Sequence, residues 1–146
     1  MAQLPSLTPG KKGFDAHAEL TQAHDEAERQ CALLHKRLSQ VFHLDMANTQ
    51  RQTIQIGSAL QRVAHAERAC GACYGRNHTF SKPYEQMLDH HRLAFVDFER
   101  LSRELETNLS PRCGDIAALA ADIQHHLNLA EQAHQTSIGA NLKITR

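Results

Sequence analysis

The chain has 146 residues, with 16 acidic and 16 basic side chains and a net charge of zero. A chain of this length buries roughly 68–70% of its unfolded surface as one domain, so neither disulfides nor a metal is needed merely for folding. A zero net charge gives no basic surface for nucleic acid or an anionic membrane, and we therefore expect no nucleic-acid partner.

Glycine and proline residues divide the chain into four helical segments. The first should run from a cap at Asp15 to about His43, and the second from Asn48 or Thr49 to between Cys70 and Tyr74. Ser81 can cap a third helix that has Pro83 in its first turn and ends near Asn108. A turn at 110–114 precedes a fourth helix from Asp115 to Ile138 or Gly139. Residues 1–13 are a predicted flexible leader, residues 14–140 the folded domain and residues 141–146 a tail.

These segments predict an all-α fold, since no segment alternates apolar and polar residues as a strand would. Long helices joined by short loops favour an antiparallel, up-down-up-down four-helix bundle. No apolar run approaches the ~20 residues of a membrane span, and Met1 to Pro5 lack the pattern of a signal peptide. We therefore expect a cytoplasmic protein without membrane insertion, with its four cysteines present as thiols or ligands.

The unusual feature of the composition is 11 histidines in a chain without tryptophan. Histidine titrates near neutrality and is the commonest metal ligand, so this enrichment is the one compositional indication of chemistry. Helical periodicity places several of these residues among core positions. The predicted inward polar residues are His17, His24 and Cys31 of the first helix, Glu67 and Cys70 of the second, His91 of the third, and His126 with flanking His134 of the fourth.

The rise of ~1.5 Å per residue places His24 and His91 each about 13 Å inside its helix. In an antiparallel bundle, four helices thus offer His, Cys or Glu at one end of the core. The other end, around Leu38, Val41, Phe98, Leu101 and Leu105, is apolar. The histidines predicted at the surface are His35, His43, His65 and His78. His90 and His125 each directly precede an inward histidine and are predicted off the core, either exposed or supporting the inward rings. Several buried imidazoles leave many donors and acceptors to satisfy, and one cation satisfies a nitrogen of each.

Cys70 and Cys73 form a Cys-x-x-Cys pair, a spacing typical of metal and redox sites. A zinc ribbon needs a second pair, a haem attachment site needs His where Tyr74 stands, and a thioredoxin-like motif needs a preceding strand. Three interpretations remain: a thiolate that binds the same metal ion as the helix histidines, a reversible disulfide, or two ordinary cysteines near a helix end.

Three of these segments together resemble the chemoreceptor zinc-binding domain, a cytoplasmic bacterial four-helix module that binds zinc through three His and one Cys. Ala23-His24 resembles the family's first ligand site, Cys73 to Arg76 its Cys-aromatic-Gly stretch, and Pro83 to His91 its later His site, with Cys70 as the alternative thiolate. Where the family has a second His four residues after His91, this chain has Phe95. The resemblance therefore requires another ligand, for which His126, His134 and His17 are the candidates.

A second resemblance is to haemerythrin-like proteins, which share the topology and line a di-iron site with histidines. Phe14 to His17 is similar to their first-helix entry, and His126 with Glu131 is similar to their fourth-helix His and Asp. That family's His-x-x-x-Glu motif has no counterpart at His65, because no acidic residue follows at that spacing. Two irons also require bridging carboxylates, and only Glu67 is predicted inward. One metal ion is therefore favoured over two.

The sequence thus predicts a bundle that holds one divalent metal ion, zinc before iron, through His24, His91, His126 and either Cys70 or Cys73. Mixed thiolate and imidazole ligands suit tetrahedral zinc. Four protein ligands would leave no position for an activated water, which favours a sensor or regulatory module over an enzyme. Such a module would act on a signalling protein or as a homodimer. The alternatives are a haemerythrin-like iron protein that binds oxygen, and an interaction module with a Cys-x-x-Cys thiol switch.

Overall fold

The computed structural model describes residues 11–73 and 82–145, with side chains described over 16–70 and 82–136. Within these ranges the chain forms four helices and no strand, which confirms the all-α prediction. The helices are α1 (Lys11–Ser39), α2 (Met46–Cys73), α3 (Lys82–Thr107) and α4 (Cys113–Thr145). Helix thus extends into residues that were predicted as leader and tail, whereas residues 1–10 lie outside the described ranges.

Contacts between helices show that neighbouring helices run in opposite directions. Arg62 of α2 bonds Glu19 near the start of α1, and Gln52 near the start of α2 bonds Arg37 near the end of α1. The same reversal relates α2 to α3, through the contacts Glu67–His91 and Gly57–Phe98. It relates α1 to α4 through His17–His134 and Glu28–Asn128. The short connection 108–112 joins the end of α3 to the start of α4, and Asp97 and His126 contact each other further along the two helices. The helices therefore form an antiparallel bundle.

The connection between α1 and α2 is longer than the sequence predicted. α1 ends at Ser39 rather than His43, and the prediction that Val41 belongs to the apolar end of the core was wrong, because Val41 is 41% exposed. Asp45 provides the physical reason: its Oδ1 accepts from the Asn48 amide at 3.2 Å, so it caps a helix that starts at Met46. The residues before this cap form the connecting loop.

The buried apolar residues form two clusters along the bundle axis. The hydrophobic half, near the α1–α2 and α3–α4 connections, contains large side chains, among them Leu34, Leu38, Ile56, Leu60, Leu101, Ile116, Ile123 and Leu127. The histidine half, toward the other end, contains Ala16, Leu20, Ala23, Val63, Ala66, Cys70, Tyr84, Met87, Ala130 and Ala133. His24, His91 and His134 are the buried histidines among the described residues.

Candidate metal centre

His24 of α1 and His91 of α3 meet across the middle of the bundle. Their Nε2 atoms are 2.5 Å apart, and the two residues are only 2% and 4% exposed. Two nitrogens bound to one tetrahedral zinc ion lie about 3.3 Å apart, given Zn–N bonds of ~2.0–2.1 Å. The contact is therefore that of two imidazoles hydrogen-bonded directly to each other.

Glu67 of α2 determines which of these nitrogens carries the proton. Its Oε2 contacts His91 Nδ1 in a largely buried ion-pair geometry. A carboxylate only accepts hydrogen bonds, so His91 donates through Nδ1–H and its Nε2 in the neutral ring is an acceptor. His24 then donates through Nε2–H to His91. The chain of contacts leaves His24 Nδ1 with a lone pair.

His24 Nδ1 is buried and has no hydrogen-bond partner. Burial, followed by the neighbouring His91 and His134, lowers the pKa of His24 to about 3. The ring is consequently neutral near pH 7, which is the form of histidine that binds metals. A buried nitrogen lone pair without a partner is costly, and a cation is one group that would satisfy it.

Two carboxylates lie beside His24. Glu28, one turn further along α1, and Glu131 of α4 form with His24 a group whose ligand atoms all lie within 4.8 Å of one another. Both glutamates are partly buried. One imidazole and two carboxylates from two helices could hold a metal ion.

The two carboxylates also constrain each other. Burial, a hydrogen bond to Glu131 and the negative charge of Glu131 raise the pKa of Glu28 to about 7. Asn128, with its amide oriented to donate, lies 3.0 Å from Glu28 Oε2 and so fixes this side chain from α4. The site therefore brings several hydrogen-bond acceptor atoms close together, and a bound cation would remove the repulsion between the two glutamates.

The structure places the other predicted histidine ligands in two different surroundings. The rings of His17 and His134 pack with centroids 5.0 Å apart, and His134 lies near enough to His24 to lower its pKa. His126 was predicted inward, but its side chain is 22% exposed and its Nδ1 lies 2.7 Å from Asp97 Oδ2. It pairs with α3 rather than with the rings of the central group.

The Cys-x-x-Cys pair is only half described. Cys70 is fully buried near Tyr84, whose pKa is raised first by burial and then by Glu67 and Cys70. The side chain of Cys73 lies outside the described residues. Because redox-sensor thiols are accessible to solvent, the burial of Cys70 does not favour the thiol switch. The predicted surface residues His35, His43 and His65 are exposed, and His78 lies outside the described ranges.

Sequence reasoning missed Glu28 as a member of this group. The signal was present, since His24 and Glu28 stand four residues apart and therefore on one face of a helix. The His-x-x-x-Glu spacing was sought at His65, where it is absent. Glu131 was noted only through its spacing from His126, which implied a different partner.

Among the described residues, no helix is long and apolar enough to cross a membrane. No protein-family model matches the chain, and no curated protein or solved structure matches it.

Proposed function

We propose that this bundle is a metal-binding regulatory module that holds one divalent ion through His24, Glu28 and Glu131, with zinc as the first candidate. The observation that carries the proposal is the convergence of their ligand atoms within 4.8 Å. His24 binds through Nδ1, the buried nitrogen without a hydrogen-bond partner. His91 and Glu67 orient the ring from behind, as hydrogen-bonded partners do for most metal-ligating histidines.

The ligand set differs from the one expected from the sequence. It contains no sulfur, since Cys31, one turn from Glu28 on α1, is deeply buried and its pKa is raised to about 12, first by burial and then by Glu28. Three protein ligands leave a tetrahedral position for water or a small ligand, so the closed shell that argued for a sensor does not follow from this set. The regulatory role rests instead on the placement of the ligands.

The ligands join α1 to α4. His24 and Glu28 belong to α1 and Glu131 belongs to α4, so an ion would link two helices whose carboxylates otherwise repel each other. Metal supply would then change the packing between α1 and α4, and a signalling protein or a second copy of the chain would recognise that change. This coupling of metal occupancy to helix packing is the mechanism we propose.

The test is a calorimetric titration of chelator-treated full chain, prepared without a His-tag, with Zn²⁺. We expect one tight equivalent per chain and a higher Tm, because free metal at 100 times Kd stabilises a folded protein by about 2.7 kcal/mol. His24→Ala should abolish the tight equivalent. Glu131→Gln, at a partly buried position, should weaken it in a chain that keeps the His24–His91 contact.

His65→Ala is the matched control, since His65 is an exposed histidine of α2. It should bind Zn²⁺ as the unsubstituted chain does. Circular dichroism would verify that each variant stays helical. Retention of the tight equivalent by both His24→Ala and Glu131→Gln, or its absence from the unsubstituted chain, would overturn the proposal.

One observation favours a haemerythrin-like iron protein as the second candidate. The sequence predicted only one inward carboxylate, Glu67, which argued against two irons. The structure places two more carboxylates, those of Glu28 and Glu131, beside His24 and so removes this objection. Anaerobic loading with Fe²⁺ followed by oxygen distinguishes the two. Two irons per chain with a visible absorption band after oxygenation would support this candidate, whereas one colourless Zn²⁺ and no stable iron would exclude it.

A further inference from the structure

A second group of histidines lies on the opposite flank of α4, at its junction with α3. His126 Nδ1 is 2.7 Å from Asp97 Oδ2, and the side chain of Asp97 is 8% exposed. Arg100 Nη1 lies 3.7 Å from the other oxygen of Asp97. Since a carboxylate only accepts, the His126 ring donates through Nδ1–H and its Nε2 is left as an acceptor.

His90 of α3 stands beside this oriented ring. The two ring centroids lie 6.4 Å apart, and the ring planes are inclined by 21°. His90 Nδ1 is buried and makes no hydrogen bond, although the residue as a whole is only partly buried. Burial and the neighbouring His126 lower the pKa of His90. Two imidazole rings thus lie next to each other at the α3–α4 junction, and the Nδ1 of His90 makes no hydrogen bond.

The spacing of the rings suits a shared ion. An ion bound to one nitrogen of each ring holds the ring centroids roughly 5–6.5 Å apart, given metal–nitrogen bonds of ~2.0–2.1 Å. Imidazole pairs select the borderline ions Cu²⁺, Ni²⁺ and Zn²⁺. A carboxylate behind one ring is the arrangement that orients a histidine ligand and raises its basicity.

We propose that His90 and His126 form a second binding site for a borderline transition-metal ion, with Asp97 as the residue that positions His126. The proposed site shares no ligand with the His24 group. His90 and His126 supply two ligands and solvent completes the shell. It therefore binds more weakly than the central group and fills after it.

The test uses Cu²⁺ as the probe with the isotope-labelled full chain, followed by NMR. Cu²⁺ added beyond the first equivalent should broaden amide signals around positions 90 and 126, and these signals are recorded separately from those around position 24. Electron paramagnetic resonance of the bound Cu²⁺ should show coupling to two imidazole nitrogens. His90→Ala should abolish the broadening around position 126, and His90 is only partly buried, so the variant should fold.

Asp97→Asn tests the positioning role without changing the shape of the side chain. The amide should weaken Cu²⁺ binding 10- to 100-fold, and ¹⁵N chemical shifts of the imidazole should show loss of the Nδ1–H tautomer of His126. His65→Ala is again the control and should leave the broadening unchanged. If the unsubstituted chain shows no local broadening, or if His90→Ala retains it, the proposal is wrong and the Asp97–His126 pair only joins two helices.

Discussion

The hydrophobic half and the histidine half of this bundle are built from different side chains on the same four helices. The first is filled with leucine and isoleucine, and the second with alanines around imidazole rings. Leucine side chains are stabilised by loss of apolar surface to water, whereas buried imidazoles are stable only when their nitrogens find partners. The comparison teaches that one half is held together mainly by apolar packing, whereas the other buries polar rings at the expense of such packing.

The largest effect should come from a cavity in the hydrophobic half. Leu101 is fully buried in α3, so Leu101→Ala should lower the free energy of unfolding by about 2–5 kcal/mol. Urea denaturation measures the loss, and elemental analysis of the folded variant should show unchanged metal occupancy. A loss of metal comparable to that of His24→Ala would contradict the separation of the two halves.

Acid should selectively destabilise the histidine half. The pKa of His24 is lowered from 6.5 to about 3 in the folded chain, so between these values the unfolded chain binds more protons. Stability is consequently lost as the pH falls from about 6.5 toward 3, by roughly 2–4 kcal/mol for this group. Urea denaturation of metal-free protein across this range should show a smaller loss for His24→Gln than for the unsubstituted chain. Equal pH profiles would contradict the assignment.

Gly57 tests how tightly α2 and α3 approach each other beside the hydrophobic half. A Cβ atom there would lie 2.5 Å from Phe98 Cζ. Alanine improves helix propensity by about 1 kcal/mol, but overpacking costs about 1–3 kcal/mol. We expect Gly57→Ala to destabilise the chain by about 1 kcal/mol in thermal denaturation, with recovery on adding Phe98→Leu. A Gly57→Ala chain more stable than the original would show that Phe98 moves aside freely.

Periodicity predicted much of this arrangement because core positions repeat with the helix. It placed Leu38, Leu101 and Leu105 inside, and helix rise put His24 and His91 at a common depth, where the structure brings them into contact. It misplaced His126 because a helix face near the edge of the core can turn either inward or toward a neighbouring carboxylate. Asp97 lies 29 residues away from His126, and local spacing does not reveal such a partner.

Glu28 should give the opposite pH dependence from His24, with a smaller size. Its pKa is raised from 4.5 to about 7, so the folded chain binds more protons between these values and stability falls as the pH rises through them. The carboxyl is only partly buried, and solvent screening reduces the effect to roughly 1 kcal/mol. The free energy of unfolding of Glu28→Gln, compared with that of the unsubstituted metal-free chain, should therefore be more favourable at pH 8 than at pH 5. A constant difference across this range would exclude the coupling to Glu131.

Two arginines join α1 to α2, one in each half, and the exposed one should give the smallest effect. Arg62 and Glu19 are both nearly half exposed in the histidine half, so Arg62→Ala should cost only about 0.2–1 kcal/mol. Arg37, in the hydrophobic half, donates to buried Thr49 at 3.2 Å and to Gln52 at 3.0 Å. Arg37→Ala should cost more, about 1–2 kcal/mol, because the buried hydroxyl of Thr49 loses its hydrogen-bond donor. Urea denaturation of the two variants compares them directly, and a larger cost for Arg62→Ala would mean that exposure does not determine the strength of these bonds.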